Sequence, residues 1–320
     1  MKKLILINPH PIGNVGEENV SVLNQMPVNL GYLKALTPDN WEVDIIDETQ
    51  ELAVDEKGEN VCFDKTNVAL VGITSVSYQA NRAYQIATAC KNNGIPVIMG
   101  GVHATSYPEE AAKYVDSVVI REAVPIWDQI ISDFENNELK PTYDGGLTPM
   151  ETYKDLLPDR KFLTDKYKYR YSGIITTAGC PFSCEFCSVP QFQGRKYRER
   201  PIDDVLNELE AIKGQYRGLI LTDENFYGHS KKSYERVRNL FKGMVDRGIY
   251  QNWFGFTSLN IYEDDETLDY MAKSGCVGVL IGIESIKAVA IPVIAFVAPG
   301  PEVTSATPGL PVERAYPSAA

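Results

Sequence analysis

The chain has 320 residues, 44% of them hydrophobic, which is enough apolar side chain for two domains with cores of their own. Its formal net charge of −12 argues against a nucleic-acid partner, which requires a basic face. The segment 1–3 leads straight into a strand-like run, so we expect no signal peptide, and no apolar run reaches the roughly 18 residues of a membrane span. Scattered Cys62, Cys90 and Cys276 indicate a reducing, cytoplasmic setting instead of a disulfide framework.

The first 140 residues alternate between short apolar strands and helices. Strands are predicted at 3–8, 41–46, 68–73, 96–99 and 117–120, with helices at 30–36, 79–93 and 125–134. This order predicts a doubly wound parallel sheet of the Rossmann or flavodoxin type, with its ligand at the carboxyl ends of the strands. Small, hydroxyl and imidazole side chains occupy those ends: His10, Gly72, Thr74, Ser75, Gly100, Gly101 and His103. They suit a large polar ligand and equally suit ordinary tight turns.

Residues 141–171 are polar and rich in Pro, Gly, Lys and Tyr, so we interpret them as a linker. Tyr167, Tyr169 and Tyr171 would cover either an active-site mouth or, as we favour, the seam between two domains.

From residue 172 the alternation resumes, with strands at 173–177, 218–222, 252–258 and 277–283 and helices at 202–213, 231–247 and 264–273. This progression predicts a β/α barrel, whose site lies at the carboxyl ends of the strands. Polar residues again follow the strands: Asp223, Glu224, Asn225, Ser258, Glu284 and Ser285. They would either cap the strands or receive an ammonium group and ribose hydroxyls.

Three cysteines at C-x3-C-x2-C spacing follow the first of these strands: Cys180, Cys184 and Cys187. Iron–sulfur clusters usually take four thiolates, so three in one short loop would leave one iron open for a small molecule. The alternatives are a zinc knuckle or reduced structural cysteines. A structural zinc site needs four ligands, and no nearby Cys or His completes the set. We therefore interpret the loop as the ligand set of a 4Fe–4S cluster.

With Phe186 just before the last cysteine, this loop resembles the signature of the radical S-adenosylmethionine (radical SAM) enzymes. Segments 223–226 and 282–285 resemble the parts of that family around the cofactor's amino group and ribose. The resemblance implies a 4Fe–4S cluster that cleaves S-adenosylmethionine to a 5′-deoxyadenosyl radical. It also implies an electron donor such as flavodoxin or ferredoxin, and it identifies these residues as binding S-adenosylmethionine: Phe186, Asp223, Glu224, Asn225, Ser258, Glu284 and Ser285.

Residues 1–140 resemble the cobalamin-binding domain that precedes many radical SAM cores, on segments 26–33, 71–75 and 100–105. The resemblance implies that the strand-end residues of this domain bind cobalamin. Two departures stand out. The Gly-Glu-Gly-Glu-like turn of that family is replaced by residues 121–124, Arg-Glu-Ala-Val, which puts close backbone contact there in question. A pattern that supplies histidine to cobalt has Asn8 in place of Asp, so His10 either ligates cobalt or packs in its loop or against the corrin edge.

Residues 287–320 are dominated by Ala, Val and Pro and contain no Asp, Asn or Gln. We predict an irregular, non-native or disordered tail there, and a partial barrel over 172–286 that stops after its fourth strand. The resemblance implies a cobalamin-dependent radical SAM enzyme with a small-molecule substrate, in the first place a methyltransferase at an unactivated carbon. A cobalamin-dependent cyclase or ring-rearranging enzyme and a non-catalytic, cofactor-binding remnant are the alternatives.

Overall fold

The computed structural model describes residues 1–10, 25–182, 184–283 and 291–295. The strands within these ranges are β1 Lys2–Asn8, β2 Trp41–Asp47, β3 Val68–Thr74, β4 Val97–Gly100, β5 Ser117–Ile120, β6 Thr142–Asp144, β7 Tyr171–Ile174, β8 Thr177–Ala178, β9 Arg198–Glu199, β10 Gly218–Leu221, β11 Trp253–Thr257, β12 Cys276–Ile283 and β13 Ile291–Ala295. The α-helices are α1 Val28–Leu36, α2 Ala80–Asn92, α3 Val102–Ser106, α4 Pro108–Ala111, α5 Trp127–Glu135, α6 Arg160–Lys166, α7 Val189–Phe192, α8 Ile202–Ala211, α9 Lys231–Asp246 and α10 Asp265–Ser274. None of these helices is long and apolar enough to cross a membrane.

The first sheet has six parallel strands in the order β2-β1-β3-β4-β5-β6. Successive side chains of β1 enter different cores: Leu4 and Leu6 share a core with residues of α1 and α5, and Ile5 and Ile7 share one with residues of α2. Both faces of the sheet are therefore covered by helices, which explains why its central strands β3 and β4 are almost entirely apolar. The predicted doubly wound fold is confirmed, and its strand order reverses beside β1 and β3, where ligands of such sheets bind.

The second sheet has the order β13-β12-β11-β10-β7. Strands β7, β10, β11 and β12 are parallel to one another, and β13 runs antiparallel to β12. Helices α8 and α9 contribute apolar side chains to the core of this sheet, among them Val205, Leu209, Leu240 and Phe241. This arrangement confirms the predicted partial β/α barrel.

Three segments differ from their predicted boundaries. The strand predicted at 173–177 is split, because the Thr176 N–H leaves the sheet and donates to the carboxylate of Asp223 at 2.6 Å. The predicted linker contributes β6 to the edge of the first sheet, so part of it is ordered structure. Within the segment predicted to be irregular, Ile291–Ala295 forms an edge strand, where the missing N–H of Pro292 is tolerated. The rest of 287–320 lies outside the described residues.

Tyrosines fill the seam between the two sheets, as favoured from the sequence. Tyr169 donates its hydroxyl to Asp47 at 2.7 Å, and Tyr167 donates to the backbone oxygen of Ile45 at 3.2 Å. Both rings are buried, and they meet edge to face. The carboxyl end of β2 is thereby joined to the chain that enters β7, so the two domains are in direct contact.

Candidate functional site

A cavity of about 610 Å³ opens between the carboxyl ends of the two sheets. The first domain contributes residues at the ends of β1, β3, β4 and β5. The second domain contributes Gly173, Ile175 and Thr222 near the ends of β7 and β10, together with Phe192 and Gln193 at the end of α7. Because α7 directly follows the cysteine loop, the cavity borders on the segment predicted to hold the cluster. One site is therefore built from both domains.

Five of the residues predicted to bind cobalamin line this cavity together: Gly72, Thr74, Ser75, Gly100 and Gly101. Apolar side chains of the sheet, of α1 and of α5 also line the cavity: Leu6, Leu30, Leu33, Ile98, Val119 and Trp127. A large ligand with a polar rim and an apolar extension fits such a lining. The sequence pattern at the strand ends thus identifies one common surface.

The backbone at Gly101 explains why a glycine stands there. Its φ is +94° and its ψ is −174°, a region that is essentially restricted to glycine. A Cβ atom at this position would lie 2.7 Å from the backbone oxygen of Ser75 and 2.8 Å from its nitrogen. The loops after β3 and β4 can therefore approach each other only because residue 101 has no side chain.

The two histidines predicted to contact cobalamin are not among the residues that line the cavity. His103 is buried behind the wall, where its Nε2 lies 2.7 Å from the hydroxyl of Tyr84 and burial lowers its pKa. His10 is buried as well, and its backbone N–H donates to Glu48 at 3.4 Å. Glu48 is in turn paired with Arg82 at 2.6 Å. In the part of the chain that the structure describes, both histidines therefore lie in packed surroundings beside the site.

The turn that departs from the glycine-rich pattern keeps a glycine-like backbone. Arg121 has a φ of +63°, the left-handed region that non-glycine residues rarely occupy. Its N–H donates to the hydroxyl of Thr105 at 2.8 Å, and both residues line the cavity. The loss of the glycine thus adds a side chain at the cavity rim and leaves the backbone turn in place.

The cysteine loop follows β8 and folds back on the segment before β9. Cys180 donates its N–H to the oxygen of Gly194 at 3.2 Å, and Cys187 donates its N–H to Cys184 at 3.1 Å. Gly179 has a φ of +82°, and a Cβ there would lie 2.4 Å from the oxygen of Lys196, so this return also depends on a glycine.

The thiols of this loop influence one another. Burial raises the pKa of the Cys180 thiol, and the charges of Cys187, Cys184 and Glu224 raise it further. Among the described residues, no three Cys, His, Asp or Glu side chains are preassembled around a metal position. The donor chemistry, three neighbouring thiols in one loop, nevertheless fits an iron–sulfur cluster with an open iron. Phe186 stands 66% exposed on this loop.

The described residues among those predicted to bind S-adenosylmethionine differ in the contacts that they make. Asp223 is buried and accepts bonds from the N–H and the hydroxyl of Thr176, and burial raises its pKa. Asn225 donates to the Ser258 hydroxyl at 3.1 Å and accepts the N–H groups of Tyr227 and Gly228.

Glu224 lies between these two residues, and burial, followed by the charge of Asp223, raises its pKa to about 6. Asp223 therefore orders the turn between β7 and β8, and Asn225 orders its own turn. This leaves Glu224 as the carboxylate whose charge acts on the Cys180 thiol. Glu284 and Ser285 lie outside the described residues.

Glu122 lines the cavity, although the sequence did not predict it as a ligand of either domain. Its carboxylate pairs with Arg198. The two are 76 positions apart in the chain, so no local pattern relates them. The one sequence feature that pointed to Glu122 was an acidic residue kept in a turn that has lost its glycines.

Two family models match the chain, "B12 binding domain" at residues 20–129 and "Radical SAM superfamily" at 174–294. Bacteriochlorophyllide d C-8(2)-methyltransferase of Chlorobaculum tepidum is 32% identical over 82% of this chain and 59% of its own length. Bacteriochlorophyllide d C-12(1)-methyltransferase of the same organism is 30% identical over 89% of this chain and 61% of its own. The chain therefore spans about three fifths of the length of these relatives.

Among solved structures, the cobalamin-dependent S-adenosylmethionine radical enzyme OxsB, with aqua-cobalamin and S-adenosylmethionine bound, superposes with a TM-score of 0.68. The match covers 89% of this chain and 44% of OxsB at 18% identity. At that identity the similarity shows the shared fold, a doubly wound parallel sheet followed by a β/α barrel.

Proposed function

We propose, because this chain belongs to the radical SAM proteins that carry an N-terminal B12-binding domain, that it is a cobalamin-dependent methyltransferase acting on an unactivated carbon of a small molecule. The observation that carries the proposal is the single cavity formed by the strand ends of both domains, next to the cysteine loop. The two bacteriochlorophyllide methyltransferases support the reaction class. An electron donor such as flavodoxin or ferredoxin is part of the proposal.

When bound, the 4Fe–4S cluster with S-adenosylmethionine supplies radical chemistry at a carbon–hydrogen bond, and cobalamin supplies a transferable methyl group. Cys180, Cys184 and Cys187 would hold the cluster. The cavity-lining glycines and hydroxyls would hold the corrin: Gly72, Thr74, Ser75, Gly100 and Gly101. No disulfide joins the six cysteines, all of which the structure describes, and this supports a reducing compartment, the cytoplasm.

The chain's own contribution is to orient these groups and to exclude water. Asp223 fixes the turn between β7 and β8 through both hydrogen-bonding groups of Thr176, and this turn leads into the cysteine loop. The apolar side chains that line the cavity would exclude water from part of a bound ligand, which would lower the local dielectric constant and strengthen the polar contacts. Glu224 supplies a carboxylate beside the thiols for the ammonium group of S-adenosylmethionine.

We propose further that His10 does not ligate cobalt. Its backbone N–H is bound by Glu48, whose carboxylate also accepts the N–H of Ala53 and pairs with Arg82. Breaking the buried pair of Glu48 and Arg82 would be strongly destabilising. The contacts of Glu48 therefore fix the position of the His10 backbone. The corrin would then rest on backbone and hydroxyl groups of the strand ends.

The test is anaerobic reconstitution with iron, sulfide and hydroxocobalamin, followed by dithionite and S-adenosylmethionine. We expect 5′-deoxyadenosine from the native chain and none from Cys184→Ala, whereas Cys62→Ala, which removes an exposed cysteine outside the loop, retains the product. Formation of S-adenosylhomocysteine that requires cobalamin would support methyl transfer. Without it, 5′-deoxyadenosine alone would favour the cyclase alternative. Absence of 5′-deoxyadenosine with both cofactors bound would contradict the proposed enzyme.

A further inference from the structure

Arg198 bonds to residues on two walls of the cavity. One terminal nitrogen, Nη1, pairs with the carboxylate of Glu122 and donates to the oxygen of Thr148 at 2.6 Å. The other, Nη2, donates to the backbone oxygen and to the side-chain oxygen of Gln193, both at 3.1 Å. The guanidinium thus uses its two ends to hold two different segments.

These two segments belong to different domains and both line the cavity. Glu122 lies in the turn that follows β5 of the first sheet, and Gln193 ends α7, six residues after the last cysteine of the loop. A ligand that fills the cavity touches both walls. Its binding therefore depends on the distance between the walls, which Arg198 sets.

The backbone of Arg198 is also tied to the cysteine loop. In β9 it pairs with Ala178 of β8, two residues before Cys180. The loop's other edge is closed by the bond from the Cys180 N–H to the oxygen of Gly194, next to Gln193. A displacement of Arg198 would thus move the start of the loop and the segment against which it closes.

The ion pair between Arg198 and Glu122 is buried. The side chains of Arg198 and Glu122 are 4% and 12% exposed, and the other oxygen of Glu122 accepts the N–H of Thr148 at 3.3 Å. An exposed ion pair is worth little, but removing one partner of a buried pair leaves an uncompensated charge and is strongly destabilising. The pair is therefore suited to transmit position between the two walls.

We propose that Arg198 is a positioning residue that couples the cobalamin cavity to the cluster loop, so that each cofactor binds more tightly when the other is in place. The inference rests on the proposed function. The coupling is reciprocal, because an interaction free energy between two binding sites acts equally on both ligands. Without the guanidinium, the two walls would respond to their ligands independently.

The test compares hydroxocobalamin affinity in cluster-free and anaerobically reconstituted protein. Equilibrium dialysis with cobalt determined by elemental analysis avoids interference from the cluster's absorption. We expect reconstitution to tighten cobalamin binding in the native chain by about tenfold, within the usual range of coupling between sites. In Arg198→Gln this ratio should fall to about one, and Arg198→Lys, which keeps the charge but loses the two-ended geometry, should give an intermediate value.

Glu122→Gln removes the carboxylate charge of the pair and leaves the contacts of Arg198 to Thr148 and Gln193 available. It therefore tests the coupling if Arg198→Gln does not fold. It too should reduce the ratio towards one. The matched control is Arg238→Gln, which breaks a partly buried pair with Asp264 at 2.8 Å, among residues that do not line the cavity, and should keep the native ratio. Thermal unfolding of each variant establishes that it is folded at the temperature of dialysis.

A native chain whose affinity does not change on reconstitution would overturn the inference, as would a native ratio in folded Arg198→Gln or Glu122→Gln. Either result, obtained with a native chain that binds cobalamin and forms 5′-deoxyadenosine, would leave the proposed function standing. A native chain that binds no cobalamin in either state would overturn the proposed function, and this inference with it.

Discussion

The neighbouring glycines 100 and 101 offer a sharp test of the cavity geometry, because one replacement should be costly and the other harmless. Gly101→Ala places a side chain in a backbone region that costs about 1–3 kcal/mol for a non-glycine residue. The added Cβ would lie 2.7 and 2.8 Å from backbone atoms of Ser75, which cannot move aside as a side-chain tip can. Such overpacking costs about another 1–3 kcal/mol.

In Gly100→Ala the nearest atoms to the added Cβ are those of Val119, at 3.6 and 3.7 Å, which is ordinary van der Waals contact. We therefore expect the free energy of unfolding of Gly100→Ala to lie within about 1 kcal/mol of the native value. For Gly101→Ala we expect it to fall by about 2–6 kcal/mol. For a domain of this size the larger loss lowers the melting temperature by roughly 6 °C or more.

The assay is thermal unfolding of cobalamin-free protein followed by circular dichroism, with both variants and the native chain at one pH. Hydroxocobalamin binding, measured by dialysis well below the melting temperature, should weaken in Gly101→Ala because Ser75 and Thr74 must shift. Equal melting temperatures for the two variants would refute the claim that the loops after β3 and β4 meet at residue 101.

Two further outcomes follow from the site. Because the pKa of Glu224 is raised from 4.5 to about 6, the folded protein holds this proton more tightly than the unfolded chain, and the free energy of unfolding falls as pH rises between those values. The free energy of unfolding of Glu224→Gln should therefore exceed that of the native chain by about 1–2 kcal/mol above pH 6, and this difference should disappear below about pH 4.5. The measurement is urea unfolding of cluster-free protein, and a difference that does not depend on pH would contradict the prediction. His10→Ala should leave the absorption spectrum of bound hydroxocobalamin unchanged, and a shifted cobalt spectrum would show that the imidazole is a ligand after all.

The regular elements could be predicted because local patterns encode them. Apolar strands such as Val68–Thr74 alternate with helices that end at glycines or carry amphipathic faces, and this alternation specifies parallel β/α structure. The cysteine spacing is equally local, since three thiols within eight residues can reach one cluster. The loop residues of the first domain also converge as expected, because the ends of neighbouring parallel strands lie at one edge of the sheet.

Local patterns gave less information about which polar side chains form contacts within the protein and which face the cavity. His103 and Asn225 have the residue type and position of ligand contacts, yet the former packs against Tyr84 and the latter organises its own turn. Whether a polar side chain faces a cavity or the protein depends on neighbours brought in from distant segments. The loss of glycine at Arg121 likewise put close backbone contact there in question, and the structure shows that this residue has a left-handed backbone.

The sequence by itself thus indicated the fold class, the two-domain order and the candidate set of three cysteine ligands, because each depends on residues close together in the chain. Only the tertiary structure decided that both domains share one cavity and that Arg198 spans its walls. The physical reason is the distance along the chain: Glu122 and Arg198 are 76 residues apart, and their pairing exists only once two separately formed sheets have packed against each other.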